Sequence, residues 1–153
     1  MIRVETVNGG YAEVIQHSKA KSSGKEIITF SLKYALIIHA EFLRHREQSR
    51  CVKSNRAIPP KKIRSEVIND PYIPVFFGKN QPGMVAGQEV RFPRLARLLW
   101  SSSRYPAVYA HWVGEKVFRG HKEWLNRMLN PWQWVRETVT ATDWDNFYRR
   151  TLR

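Results

Sequence analysis

Alternating apolar and polar residues predict strands in the first third of the chain. Residues 2–16 alternate with a period of two on either side of Asn8-Gly9-Gly10, a segment that tolerates the positive φ angles of a tight turn. This pattern predicts a β-hairpin. A basic loop over residues 19–25 follows, and residues 27–32, rich in β-branched and aromatic side chains, predict a third strand.

Apolar positions three and four residues apart then predict helices. One helix is expected over residues 35–46, and a polar, basic loop over residues 47–58. The Pro59-Pro60 pair suits the first turn of a second helix, in which Ile63 and Val67 lie on the same face.

The second half of the chain is predicted to be mainly helical. Residues 71–84 contain too many Pro and Gly residues for a helix and are expected to be extended. Residues 88–104 and 106–129 have helical patterns, with breaks expected near Pro93 and Pro106.

A last strand and a last helix are expected near the end of the sequence. Residues 135–140 have a strand-like pattern, and Thr142-Asp143 suits the cap of a helix that begins at Trp144. No internal repeat or linker divides the chain. We therefore predict an α+β fold: a single domain over residues 1–153, with a mostly antiparallel sheet packed with helices.

Composition and charge narrow the class of protein. The chain has 26 Lys and Arg against 13 Asp and Glu, and its net charge of +13 favours anionic ligands such as nucleic acid or nucleotide phosphates.

Its apolar runs fall short of the ~20 residues that cross a bilayer, so we expect a cytoplasmic protein with no membrane partner. Cys51 is the single cysteine, which excludes an intrachain disulfide and a cysteine-based zinc cluster. The histidines lack metal-ligand spacing, so no metal is expected.

A strongly basic segment follows the first predicted helix. Between Arg44 and Arg64 there are eight basic residues and one acidic residue, interleaved with hydroxyl and amide side chains. A planar guanidinium binds phosphate through two parallel hydrogen bonds, and a neighbouring Ser hydroxyl can satisfy a third oxygen. The segment predicts a site for a nucleotide phosphate, and a solvated basic loop is the alternative.

Part of this segment resembles the signature of the flavin-dependent thymidylate synthases. That signature is Arg-His-Arg, two residues, Ser, one residue, Asn, two residues, Ser, one residue, Arg. The six positions that match are Arg44, His45, Arg46, Ser49, Ser54 and Arg56. Residues 56–59, 74–84 and 140–147 also resemble a viral and bacterial branch of this family, so a bacteriophage protein in the host cytoplasm is one expectation.

The resemblance implies the fold of that family and a ligand for individual residues. It places the cofactor FAD against Arg44, His45, Arg46 and Asn146. It places the substrate dUMP against Glu41, Arg44, Ser54, Asn55, Arg56 and Arg127. Within that second set, Ser54, Asn55 and Arg56 would hold the phosphate and sugar, and Arg127 would make a further phosphate contact.

The resemblance also implies a reaction and an assembly. In the family, NADPH reduces the flavin, methylenetetrahydrofolate supplies the one-carbon unit, and dUMP becomes dTMP without a covalent enzyme nucleophile. Members bind FAD and dUMP between the subunits of a homotetramer. The expected partners are therefore dUMP, the folate and further copies of the same chain.

The sequence departs from the family at several positions. Cys51 stands where the signature has Asn. The surrounding residues belong to the flavin signature and favour a tolerated replacement of that Asn. The alternative is that Cys51 acts as a thiolate nucleophile. Thr151 stands where members have the arginine that activates dUMP, and Arg153, displaced by two residues, is the candidate catalytic arginine. Members continue past this point, so a shortened C-terminal segment is expected.

Because of these departures, a second functional class is the alternative to a working synthase. In that alternative, the chain is a catalytically inactive or repurposed family member, a basic nucleotide-binding or nucleic-acid-binding protein. Its tryptophans are interpreted as core or subunit-interface residues, because aromatic residues spaced through helices usually pack.

Overall fold

The computed structural model describes residues 2–44, 47–82 and 86–145. Within these ranges the chain forms a five-stranded antiparallel sheet and four α-helices. The predicted α+β class with an antiparallel sheet is therefore confirmed. None of the helices in the described ranges is both long and apolar enough to cross a membrane.

The chain divides into two units. Unit 1 comprises Met1–Ser54 and Trp134–Arg153, and unit 2 comprises Asn55–Gln133. The sheet belongs to unit 1 and the longer helices to unit 2. That residues 1–153 form a single domain stays a prediction.

The sheet of unit 1 has the strand order β1-β2-β3-β5-β4, with every neighbouring pair antiparallel. Its strands are β1 (Arg3–Glu5), β2 (Tyr11–Lys19), β3 (Glu26–Ala35), β4 (Ser49–Val52) and β5 (Trp134–Ala141). The predicted hairpin over residues 2–16 is confirmed, and Gly9 in its turn has a φ of 90°, which glycine adopts without steric cost.

Two predictions between residues 35 and 58 need correction. The helix expected over residues 35–46 is present in part, as a 3-10 turn (Leu36–Ile38) followed by α1 (His39–Phe42), and it begins one residue late because Ala35 still pairs with β5 as the last residue of β3. The loop expected over residues 47–58 contains β4, in which Ser49 pairs with Thr140 of β5. Both differences come from backbone pairing with a strand almost a hundred residues later, which local side-chain patterns do not report.

Alternate residues of β5 point into the core of unit 1. Val139 and Ala141 are buried with Trp144, and Phe30 and Leu32 of β3 pack against them. The predicted strand over residues 135–140 is confirmed, with one extra residue at each end. The helix predicted from Trp144 lies largely outside the described residues.

Unit 2 consists of α-helices and 3-10 turns. Its elements are a 3-10 turn (Asn55–Ala57), α2 (Pro60–Asn69), α3 (Pro93–Lys116), α4 (Lys122–Leu125) and a 3-10 helix (Asn126–Trp132). The prediction for α2 is confirmed: Pro60 occupies its first turn, and Ile63 and Val67 are buried on one face. These two side chains form the core of unit 2 with Leu129 and Trp132.

The helix α3 runs through Pro106, so the break predicted there is wrong. Proline removes one backbone N–H and leaves the carbonyl four residues earlier, that of Ser102, without its helical donor. Both residues lie on the exposed side, where water can bond that carbonyl. On the opposite side Trp100 and Ala107 pack against the core of unit 2, which holds the two halves of the helix in line.

Close packing near the end of α3 positions α4. A Cβ atom on Gly114 would lie 2.5 Å from Cδ2 of the buried Leu125, so any side chain there would force Leu125 to shift. The absence of a side chain at Gly114 therefore lets α4 pack directly on α3.

Candidate nucleotide-binding site

Two of the predicted phosphate-binding arginines lie at one place in unit 2. Arg56 Nη1 is 4.0 Å from Glu123 Oε1, and Arg127 Nη2 is 3.8 Å from the same oxygen. The exposed fraction of the side chain is 65% for Arg56, 62% for Arg127 and 44% for Glu123. This Arg56–Glu123–Arg127 cluster presents two cationic forks to solvent around one carboxylate.

The backbone around Arg56 is fixed by a buried amide. Asn126, fully buried, donates from Nδ2 to the carbonyl of Asn55 at 2.8 Å and to that of Ile58 at 2.9 Å. The side chain of Asn55 donates in turn to Asn130 Oδ1 at 3.1 Å. The 3-10 turn that carries Arg56 is therefore held on both sides by the helix that carries Arg127.

Local capping positions the carboxylate of the cluster. His121 precedes α4, and its Nδ1 accepts a hydrogen bond from the backbone N–H of Glu123 at 3.2 Å. Glu123 and Arg127 are four residues apart, the spacing at which opposite charges on a helix meet.

A buried polar chain continues from Asn126 into the core. His111 Nε2 is 3.4 Å from Asn126 Oδ1, and His111 Nδ1 is 3.1 Å from Arg64 Nη1. Arg64 also binds Glu115 Oε2 at 2.5 Å. Burial lowers the pKa of His111, and the hydrogen bond from Arg64 holds the pKa of Glu115 below its usual range. The imidazole is therefore neutral and the carboxylate charged near pH 7.

Three predicted substrate-binding residues belong to unit 1. Glu41 in α1, Arg44 after it and Ser54 after β4 are all exposed. Arg50 makes two hydrogen bonds in unit 1: its Nη2 donates to the carbonyl of Phe42 at 2.7 Å and to Gln48 Oε1 at 2.6 Å. Its guanidinium also lies 4.0 Å above the Phe42 ring, a cation–π contact.

A buried carboxylate, that of Glu137, contacts both Tyr34 and Arg50 in unit 1. Glu137 in β5 accepts a short hydrogen bond from the hydroxyl of Tyr34, and Arg50 Nη1 lies 3.9 Å from its other oxygen. Because the Tyr34 proton is used there, His39 Nδ1, 2.7 Å away, is the donor to the Tyr34 oxygen. Burial and the Glu137 carboxylate raise the pKa of Tyr34, so the phenol stays protonated.

The remaining candidate residues, His45, Arg46, Asn146 and Arg153, lie outside the described residues. Their assignments to the flavin cofactor and to catalysis stay predictions. The assignments of six described residues to dUMP likewise stay predictions: Glu41, Arg44, Ser54, Asn55, Arg56 and Arg127.

Comparison with known proteins adds a likeness of fold. No protein-family model matches the sequence, and no curated protein matches it. The structure is similar to the crystal structure of the UMP/dUMP methylase PolB from Streptomyces cacaoi bound with 5-Br UMP, with a TM-score of 0.57. The match covers 87% of this chain and 72% of that one, at 11% sequence identity. The likeness is one of fold.

Sequence reasoning missed the residues that hold the arginines. Glu123 had a usable signal, since it stands four residues before Arg127 in a helical stretch. Asn126 and His111 had none, because their partners are Asn55, Ile58 and Arg64, which are distant in the sequence. Among the described residues no group of three or more His, Cys, Asp or Glu side chains is placed to hold a metal ion.

Proposed function

We propose that this protein binds dUMP and catalyses methylation of its uracil ring to give dTMP. The observation that carries the proposal is the convergence of Arg56 and Arg127 on one carboxylate oxygen. The sequence resemblance assigns both residues to the substrate, and they lie in separate parts of the chain. Their meeting at one place supports that assignment.

The cluster has the chemistry that a phosphate monoester needs. Two guanidinium groups together offer donors to several phosphate oxygens, and a nucleoside monophosphate carries close to two negative charges at neutral pH. Glu123 already holds an anionic oxygen between the arginines, at distances of 3.8 and 4.0 Å. A phosphate entering the cluster would take over those contacts at shorter range.

The structural neighbour supports the same class of substrate independently. PolB is a methylase of UMP and dUMP, and its crystal structure holds a brominated UMP. The sequence resemblance and the likeness of fold rest on different observations. Both lead to methylation of a uridine monophosphate.

We further propose FAD as the cofactor, with NADPH and methylenetetrahydrofolate as co-substrates. The resemblance supports this cofactor, and Arg44, the one described residue of those it assigns to the flavin, is exposed. When bound, the flavin supplies reducing equivalents to the methylation. Arg44, His45, Arg46 and Asn146 would hold it. The chain's own contribution would be to bind and orient the nucleotide phosphate and, through Arg153, to polarise the uracil ring.

We also propose a homotetramer with shared sites. One face of α3, opposite the side packed on the unit 2 core, is apolar and exposed along the helix. Its exposed residues are Leu95, Leu98, Leu99, Tyr105, Tyr109 and Trp112. An apolar face of this length in a highly charged chain favours association, and a second copy would bury it by two-fold symmetry.

A protein that binds nucleic acid is the second candidate, and the net charge of +13 favours it. The two functions make opposite predictions for visible absorbance and salt dependence. An enzyme of the proposed type binds FAD and a mononucleotide. A nucleic-acid-binding protein binds oligonucleotides with an affinity that falls steeply as salt rises.

The test is a titration of the purified full chain. The proposal expects a yellow flavin band after reconstitution with FAD, bleaching of that band by NADPH, a change in its shape with dUMP, and growth of thymidine-requiring cells that express the protein. A colourless protein that cannot be reconstituted, ignores dUMP and binds oligonucleotides would overturn the proposal in favour of the second candidate.

A further inference from the structure

The buried chain from Arg64 to Asn126 has a single consistent direction of hydrogen-bond donation. A guanidinium has no acceptor, so Arg64 Nη1 must donate to His111 Nδ1, 3.1 Å away. The neutral imidazole then carries its proton on Nε2 and donates it to Asn126 Oδ1 at 3.4 Å. That bond leaves both Nδ2 protons of Asn126 facing the carbonyls of Asn55 and Ile58.

Asn126 links the backbones of the two arginines in the Arg56–Glu123–Arg127 cluster. Arg56 lies between the two carbonyls that Asn126 binds, and Arg127 is the residue that follows Asn126. The orientation of this amide therefore sets how the backbone that carries Arg56 lies relative to the backbone that carries Arg127. A further bond fixes the backbone of Asn126 itself, because Gln133 Nε2 donates to its carbonyl at 2.7 Å.

From this geometry we propose that His111 and Asn126 are positioning residues for phosphate recognition. Their hydrogen bonds set the spacing between the Arg56 and Arg127 guanidinium groups, so that both can contact one phosphate. The inference rests on the proposed function for the identity of the ligand, dUMP. It assigns to buried residues a role that neither the sequence signature nor the exposed cluster contains.

The geometry distinguishes this role from general support of the core. Val67 of α2 belongs to the core of unit 2 and is also fully buried, but it packs among apolar side chains. His111 and Asn126 use their polar atoms in a continuous line that ends on the turn of Arg56. Loss of Val67 would therefore lower stability alone, whereas loss of the polar line would also change the phosphate contact.

The test compares dUMP with deoxyuridine, which lacks the phosphate, by calorimetric titration of the full chain. His111→Leu removes both ring hydrogen bonds, His111→Gln keeps a donor near Asn126, and Asn126→Asp replaces the two Nδ2 donors by an acceptor. We expect Asn126→Asp and His111→Leu to weaken dUMP binding about tenfold or more, with deoxyuridine binding little changed. His111→Gln should restore most of the dUMP affinity. Val67→Ala, the matched control, should leave the ratio of the two affinities unchanged.

A second readout covers variants that bind poorly or fold poorly. The amide of Ile58 donates to the carbonyl of Asn55 at 3.3 Å, so its hydrogen exchange in the ligand-free protein reports the turn. Faster exchange in His111→Leu than in Val67→Ala supports the inference. Equal exchange in the two variants, or an unchanged affinity ratio, overturns it. If the parent protein does not prefer dUMP to deoxyuridine, the proposed function fails, and the exchange rates still decide the positioning role.

Discussion

The guanidinium groups of Arg56 and Arg127 lie within 4.0 Å of the same carboxylate oxygen, although one belongs to a 3-10 turn at the start of unit 2 and the other to a helix at its end. At 3.8 and 4.0 Å these are loose ion pairs with exposed side chains, which contribute little to stability. Both arginine side chains are more than half exposed, so a ligand that offers shorter contacts can reach them.

Removing the carboxylate charge should strengthen nucleotide binding. Glu123→Gln takes away an anion about 4 Å from each arginine, and a charge at that distance in water is worth about 1 kcal/mol. We expect a roughly fivefold gain in dUMP affinity by calorimetric titration, with deoxyuridine unaffected. Glu66→Gln, which makes the same change in net charge outside the cluster, is the control. Weaker dUMP binding in Glu123→Gln would mean that the carboxylate orients the arginines rather than competing with the phosphate.

Each arginine of the cluster should matter for phosphate and not for folding. Arg56→Ala removes a charge-assisted contact worth about 1.5–3 kcal/mol, so dUMP affinity should fall about tenfold to a hundredfold. Arg56→Lys keeps the charge but loses the two-pronged geometry, and its affinity should lie between those of Arg56→Ala and the parent.

Arg127→Ala serves as the partner variant. If both arginines bind one phosphate, the combined loss in Arg56→Ala/Arg127→Ala should differ from the sum of the single losses. Because both side chains are more than half exposed, thermal unfolding midpoints should hardly change. Unchanged dUMP affinity in Arg56→Ala would remove this residue from the site.

The burial of His111 should make stability depend on pH below 6.5. Its pKa is lowered by burial and by the neighbouring Arg64, so the unfolded chain takes up a proton before the folded protein does. This contribution is complete above the ordinary pKa of 6.5 and is lost as the pH falls below it. Glu115, whose pKa is also lowered, adds a similar loss, but only below its ordinary value of 4.5.

Urea unfolding of the parent and of His111→Gln between pH 8 and pH 5 measures the His111 contribution. The free energy of unfolding of the parent should fall more steeply between pH 6.5 and pH 5 than that of the variant. Parallel profiles would show that the imidazole is not the group responsible.

The exposed face of α3 should control assembly. Leu98→Glu places a charge in the middle of that face and should reduce the mass of the particle in sedimentation velocity, with the circular dichroism spectrum retained. Val7→Glu makes the same change at an exposed apolar residue of the β1–β2 turn and should leave the mass unaltered. A parent protein that sediments as a monomer would contradict the homotetramer.

Arg153 has a prediction that separates binding from chemistry. If this residue polarises the uracil ring, its deletion should lower turnover more than dUMP affinity. Turnover equal to that of the parent would exclude it from the mechanism.

Local sequence signals were sufficient where an element depends on its own residues. The hairpin around Gly9 and the helix with Ile63 and Val67 follow from side-chain periodicity and turn chemistry, and both are present. The strand β4 was not predictable in this way, because Ser49–Val52 has no apolar alternation and is extended through its pairing with β5. The helix break predicted at Pro106 is absent for the opposite reason. Residues before and after Pro106 in the helix pack on the core of unit 2, and this packing outweighs the lost hydrogen bond.

The residues of the candidate site show the same difference between local sequence signals and long-range contacts. The sequence assigned Arg56 and Arg127 to the nucleotide phosphate through a resemblance; the structure places the two side chains together, and the assignment stays a prediction. The sequence could not point to Asn126 or His111, because their hydrogen bonds join residues that are far apart in the chain.

The carboxylate of Glu123 has a consequence for selectivity among anions. A chain with a net charge of +13 attracts every polyanion in the cell, and uncompensated arginines would trap them through counterion release. Under the proposed function, a dUMP phosphate would replace the Glu123 carboxylate as the partner of the two arginines, so fewer small ions would be released than from uncompensated arginines. Binding at the cluster would then depend less on ionic strength, which would favour a compact monophosphate over a long polyanion.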